Sequence, residues 1–249
     1  MNAKTGLTVF CLLGLMLSAF SQPVEEVMTN ADTLFLDLKD METAVKIKLM
    51  YEQVAEVAAD KYEVFWKLSR IQYYIGSHTD DKKAQQDIFA EGVEWADKAI
   101  QAGPEKPDGH YWSGINNGSY GESKGVLKSL GLVKPIKEAM NKVVEIDSSY
   151  LEGGAHRILG RLYFKVPGFA GGDKDLSLDY LLKAKDFSPK DPHTCLYLAE
   201  TYLSLKKTEE ARTELDIVLQ LEDDGLWTSG IKSCQADARV LLEDKKFKK

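Results

Sequence analysis

Gly121-Glu122-Ser123-Lys124-Gly125 fits G-x-S-x-G, the pattern in which a strained turn presents a nucleophilic serine to a histidine base. That chemistry needs a strand before the serine and a helix after it. Here the preceding residues, DGHYWSGINNGSY, read as helix and turn, and no strand–helix alternation follows. The pattern therefore predicts a loop joining paired helices, with serine hydrolysis at Ser123 as the alternative. His78, His110, His156 and His193 are scattered, without H-E-x-x-H and without a cysteine pair at zinc spacing, so no metal centre and no cofactor is expected. A second glycine-rich stretch, Gly168 to Asp173, follows Pro167 and invites comparison with a phosphate cradle. It lacks both the preceding strand and the Lys-Ser/Thr that a phosphate loop requires. Asp173 and Asp175 are too few for calcium, which takes six to eight oxygens. The stretch reads as a connector, with Gly171 and Gly172 free to take positive φ and Asp173 or Asp175 capping the helix that follows. The chain is expected not to be an enzyme.

The elements that carry these segments are helical throughout. Apolar residues recur three and four apart, and glycine and proline gather at junctions. Small and bulky residues also recur at longer range. Cys195, Leu198, Ala199 and Tyr202 precede Ala211, Leu215 and Val218. Leu159, Gly160 and Tyr163 precede Ser177, Leu181, Ala184 and Pro189. Phe65, Leu68 and Ser69 precede Gly92, Ala96, Ala99 and Pro104, and a degenerate unit sets Tyr111 and Ile115 before Ile136, Met140 and Val143. This is the tetratricopeptide (TPR) pattern, in which small residues let two helices approach and large ones fill the groove of the next pair. The anchors Gly92, Ile136, Ser177 and Ala211 are 44, 41 and 34 residues apart, so only the last interval is a standard repeat. The expectation is an all-α superhelix of stacked helix-turn-helix units with long inter-helix insertions and capping helices. Met41 to Asp60 reads as an extra helix on the first full pair, and Ser229 to Asp244 as a cap on the last. Asp191 with Pro192, and Pro135, read as helix starts.

Trp66, Tyr73, Tyr74, Trp95, Tyr111, Trp112 and Tyr120 crowd the first half of the chain, beside a segment from Gly114 to Gly125 that reads as a glycine-rich loop. Most of these rings belong to the core. The remainder are placed to line a groove or channel for an apolar or amphipathic ligand, and SYGESKGVLKSLGLVKP is amphipathic enough for a lid or a docking segment.

Lys4, the apolar run Gly6 to Phe20, and the small-x-small Ala19-Phe20-Ser21 read as a signal peptide over 1–21, cleaved near Ser21. The run of about 15 residues is short of the roughly 20 a membrane helix needs, and a retained anchor is the alternative. Residues 22–40 then form an N-terminal segment and 41–249 the repeat domain, in a periplasmic or secreted protein without stable membrane insertion. The whole chain carries a net charge of −7, and losing Lys4 leaves −8. That balance disfavours nucleic acid and adhesion to anionic lipid. Cys195 and Cys234 lie in apolar helical patterns where a buried thiol acts as a small hydrophobe, a disulfide being the alternative.

FWKLSR, HYWSGINNGSYGESKGVLKSLGLVKPIKEAMNKVVEID, RILGRLYFKVPGFAGGD and LYLAETYLSL together resemble bacterial exported TPR-like proteins of the T-component family that accompanies TRAP-type solute transporters. The order W-x-L-[AS]-R, H-x-W, I-K-x-x-[MI], L-G-R is also similar to the regulator of microtubule dynamics family. The first resemblance implies a helical solenoid, in some members with a ligand channel, that pairs with a periplasmic solute-binding protein and can oligomerise. T-component members are often lipoproteins, and this chain has no lipobox cysteine. The resemblance places Trp66, Arg70, His110, Trp112, Gly160, Arg161, Pro167, Gly171, Gly172 and Asp173 at family-pattern positions. The groove or loop candidates for binding are Trp66, Arg70, His110, Trp112, Asn116, Tyr120 and Arg161. Pro167, Gly168, Gly171, Gly172 and Asp173 are the structural loop.

Overall fold

The computed structural model describes residues 23–223, 230–243 and 247, so the expected signal peptide lies outside the described residues. Within them the chain forms eleven α-helices, two 3-10 helices and no strand. They are α1 (Val24–Leu36), α2 (Met41–Val54), α3 (Lys61–Ser77), α4 (Lys82–Ala102), α5 (Pro107–Lys124), α6 (Val133–Ile146), α7 (Tyr150–Lys165), α8 (Lys174–Phe187), α9 (Pro192–Ser204), α10 (Thr208–Gln220) and α11 (Ile231–Leu242). The 3-10 helices, Val126–Leu132 and Gly168–Ala170, lie in the connections from α5 to α6 and from α7 to α8. Aspartate opens five of the helices. Asp40, Asp60, Asp81, Asp173 and Asp191 each accept a backbone amide from the first turn, where the helix dipole also favours the negative charge. No described helix is long and apolar enough to cross a membrane.

Consecutive helices pair as hairpins, α1 with α2 through α9 with α10, and α11 covers α9 and α10. First helices of successive hairpins also pack on one another, α3 on α5, α5 on α7 and α7 on α9, whereas second helices meet only marginally. A row whose first helices are closer together than its second helices must curve, with α3, α5, α7 and α9 on the inside. The expected superhelix is the observed one, and its small residues sit where close approach demands them. A Cβ on Gly160 would lie 2.6 Å from Leu181 Cγ, and one on Gly92 would lie 2.5 Å from Asn116 Oδ1. Leu159, Leu181, Ala184, Leu198, Ala199, Ala211, Leu215 and Val218 are all fully buried.

The structure differs from the sequence expectation at several places. Residues 24–36, within the N-terminal segment, form α1, whose Val27, Ala31 and Phe35 share a core with Ala44, Ile47 and Tyr51 of α2. The first hairpin is therefore α1–α2 rather than a lone helix. The segment from Gly114 to Lys124, expected as a loop, is the second half of α5. Its glycines cost helix propensity, but packing overrides it: a Cβ on Gly114 would overlap the Met140 methyl, and Gly121 faces Ser129. In the loop after α7, Gly171 takes φ +94° as expected, but Gly172 does not have positive φ. Glycine is required there because a Cβ would overlap the Val166 carbonyl. Asp173, not Asp175, is the cap, accepting the amides of Asp175 and Leu176. Pro135 sits at the third position of α6, not the first.

Candidate binding groove

The inner face is built from α3, α5, α7 and α9. Tyr73 of α3 stacks obliquely on Trp112 of α5 with centroids 5.8 Å apart, and Trp112 meets Tyr111 edge-on at 5.4 Å. On α7, Arg157 and Arg161 are one turn apart and so share a face. Arg157 pairs with Asp191 at 3.2 Å, and Arg161 pairs with Glu200 of α9. The Arg161 guanidinium lies 4.2 Å from the centre of the Tyr197 ring, a cation–π geometry.

The electrostatics follow from burial. Desolvation opposes the Arg157 charge, but the surrounding Tyr111, Asp191 and Tyr197 outweigh it and hold the guanidinium above its ordinary value. Burial would raise Asp191, yet Arg157 and the Thr194 hydroxyl and amide overcome it and keep the carboxyl below the usual range. His193 is held low by burial and by Arg157. Cys195 and Cys234 are buried free thiols, each pushed up to about 12 by burial, which disfavours the nucleophilic thiolate.

Between α5, α6 and α7 lies a cavity of about 170 Å³ roofed by the 3-10 helix Val126–Leu132. Ile115, Ile136, Ile158 and Leu162 form its apolar wall, Tyr73 and Tyr197 close its sides, and Arg161, Glu122 and Lys165 supply charge. A second space of about 420 Å³ opens between α7, α9 and α11, bordered by Arg161, His193, Glu200, Cys234 and Asp237. Arg161 borders both. Among the described residues no cluster of three metal-ligating side chains occurs.

A family model described as Regulator of microtubule dynamics protein 1-3 matches residues 27–169. The chain belongs to this regulator of microtubule dynamics family. Regulator of microtubule dynamics protein 3 of Mus musculus is 22% identical over 222 residues, covering 83% of this chain and 46% of that protein. Protein 1 of Bos taurus is 23% identical over 239 residues, covering 88% and 71%. The chain thus spans less than half the length of the mouse relative. Two solved structures share its fold. TTC0263, a thermophilic TPR protein in Thermus thermophilus, gives a TM-score of 0.65 at 14% identity over 88% of this chain and 99% of that one. MamA gives 0.53 at 13% identity over 88% and 99%.

In this family member the residues singled out from sequence do not form one site. Trp66 and Arg70 meet at the N-terminal end, where the Arg70 guanidinium lies 3.5 Å from the Phe35 ring centre and 4.8 Å from that of Trp66. Burial holds Arg70 below its ordinary value. His110 bonds the Pro104 carbonyl at 2.8 Å and fastens the turn before α5. Asn116 is fully buried, its amide donating to Ser69 O, Ser69 Oγ and Trp112 O, so it ties α5 to α3 rather than facing a groove. Tyr120 receives Lys124 Nζ at 2.9 Å near the end of α5. Ser123 donates to the Tyr120 carbonyl at 2.7 Å, in helical backbone rather than a strand-borne elbow. Only Trp112 and Arg161 belong to the inner face described above. Arg157, Asp191, Tyr197 and Glu200 complete it. The four-residue spacing of the two arginines and the three-residue spacing of Tyr197 and Glu200 were the available signals.

Proposed function

We propose that this chain is a non-catalytic adapter whose inner face holds a segment of another protein. One observation carries the reading: Tyr73, Trp112, Arg157, Arg161 and Tyr197 stand on consecutive first helices, aromatic and cationic groups of the kind that dominate binding energy at interfaces. The TPR superhelix supports it, because stacked hairpins offer an extended curved surface. Arg161→Ala with Tyr197→Ala removes the central cation and ring. Partners recovered from the native compartment by the wild-type chain are expected to be lost by this variant while far-UV circular dichroism stays unchanged. Undiminished recovery refutes the assignment.

A second reading follows from the apolar cavity beneath Val126–Leu132, which has room for a small apolar ligand. Native mass spectrometry of the purified chain distinguishes it, since a carried ligand adds mass. For the setting, the leader-like 1–21 and the T-component resemblance support an exported accessory of a solute transport system, with a solute-binding protein as partner. The relatives named for microtubule dynamics support a different partner, a cytoskeletal protein. Cell fractionation of the tagged chain decides between them.

A further inference from the structure

Two of the most exposed large apolar side chains stand at the tips of neighbouring insertions: Leu127 is 70% exposed in the 3-10 helix Val126–Leu132, and Phe169 is 82% exposed in the 3-10 helix Gly168–Ala170. Both insertions join a first helix to a second, in adjacent hairpins, and so emerge from the same edge of the superhelix. They also border one cavity, walled by Leu130 and Leu132 from one and by Leu162 and Val166 leading to the other. Neither tip is slack. The Phe169 loop is closed by Gly172 N to Pro167 O at 3.0 Å and Asp173 N to Tyr163 O at 3.0 Å, and Ser129 Oγ bonds Gly121 O at 2.9 Å beneath Leu127. Exposing a phenyl ring on a braced loop costs solvation free energy that a polar residue would spare.

The charge of this edge is the reverse of the molecule's. Residues 122–138 and 159–175 hold six lysines and one arginine against Glu122, Glu138, Asp173 and Asp175, a net charge of +3 in a chain of net charge −7. They carry Lys124, Lys128 and Lys165, all exposed and none with a carboxylate partner among the described residues. Glu122 lines the cavity below the edge, and Lys134 is occupied by Glu138 at 3.6 Å. Lys174, beneath the Phe169 loop, is held below its ordinary value chiefly by burial, with the Arg161 and Lys165 charges adding to it and Glu200 opposing.

We infer that this edge docks on an anionic lipid surface, with Phe169 and Leu127 entering the acyl boundary and Lys124, Lys128 and Lys165 lying among the headgroups. A protein partner would have to supply a pocket for each protruding side chain, whereas a bilayer interface accepts protrusions of any outline. Basic residues around exposed apolar ones are the composition that holds peripheral proteins to anionic membranes. Net charge is a property of the whole molecule and does not describe this edge.

The test uses the full chain with phosphatidylcholine vesicles, with and without phosphatidylglycerol. Phe169→Trp places a reporter at the tip. Its emission is expected to shift to the blue, and to be quenched by brominated acyl chains, with the anionic vesicles only. Lys128→Gln with Lys165→Gln is expected to weaken anionic binding about thirtyfold, at about 1 kcal/mol per lysine. Phe169→Ala is expected to weaken it about tenfold. These positions are exposed, so circular dichroism should not change. Equal binding to neutral vesicles, binding that survives the lysine substitutions, or a blue shift of the introduced tryptophan produced by poly-glutamate and not by vesicles each overturns the inference.

Discussion

Asp191 holds two positions at once. Its carboxylate caps α9, accepting the Thr194 amide at 2.7 Å, and it is the counter-ion of Arg157 across to α7 at 3.2 Å. Asparagine caps as well as aspartate, so Asp191→Asn isolates the charge, while Asp191→Ala removes both. Stranding a fully buried cation costs about 3–5 kcal/mol. About one-sixth of each side chain meets water here, which lowers the figure to about 2 kcal/mol. The cap adds about 1 kcal/mol, so Asp191→Ala should cost about 3 kcal/mol. In a chain of this size each kcal/mol moves Tm by about 2–4 °C, giving falls of about 4–8 °C for asparagine and about 6–12 °C for alanine. Adding Arg157→Met to Asp191→Asn removes the stranded charge and should return about 1 kcal/mol. Thermal and urea unfolding followed by circular dichroism at neutral pH measures all four proteins. If Asp191→Asn melts with the wild type, or Arg157→Met deepens its defect, the pairing of α7 with α9 through charge is wrong.

Gly172→Ala should disrupt the loop after α7 far more than Gly168→Ala, because a Cβ at 172 overlaps the Val166 carbonyl whereas one at 168 meets nothing within 4 Å. Comparable melting of the two variants would contradict this. Asn116→Ala should cost about 1–3 kcal/mol by removing a buried amide that joins α5 to α3, and an unchanged urea midpoint would show that the tie is idle. Acid should destabilise the fold in two stages. His193, through burial and Arg157, and His156, through burial and Lys183, titrate lower folded than unfolded, so the unfolded chain binds more protons and stability declines as pH falls below about 6.5. Asp191 is also depressed, and its contribution disappears as pH falls further, below its ordinary 3.8. Urea titrations showing no loss between about pH 7 and pH 5 would rule out the first stage.

Helix pairing is legible in the sequence because it depends on residue size at fixed spacing. Gly160 opposite Leu181, and the alanines at 184, 199 and 211, repeat one steric requirement in the α7–α8 and α9–α10 hairpins. α1 escapes that pattern because VEEVMTNADTLFL buries only Val27, Ala31 and Phe35, a stripe without the small-and-bulky signature. α5 misleads because glycine and asparagine argue locally for a loop, while Met140 and Ser69 argue for a helix from residues distant in the chain. The inner face is hardest to see. Arg157 and Asp191 become neighbours only once α7 and α9 are stacked in register, and nothing within either segment announces the other.

Three clusters of buried apolar residues stand out, in α1 to α4, α5 to α7, and α9 to α11, with Leu181 and Ala184 of α8 buried outside them. Across the two seams run polar fastenings beside ring contacts, Asn116 to Ser69, Tyr62 to Asp108 and Tyr73 to Trp112 at one, Arg157 to Asp191, Arg161 to Glu200 and Arg161 to Tyr197 at the other. Directional bonds yield abruptly when stretched, while dispersion contacts inside a cluster give way over many atoms. Pulled from its ends, the molecule would behave as three stiff beads on brittle hinges, parting at Arg157–Asp191 and Asn116–Ser69 before any bead lost its interior.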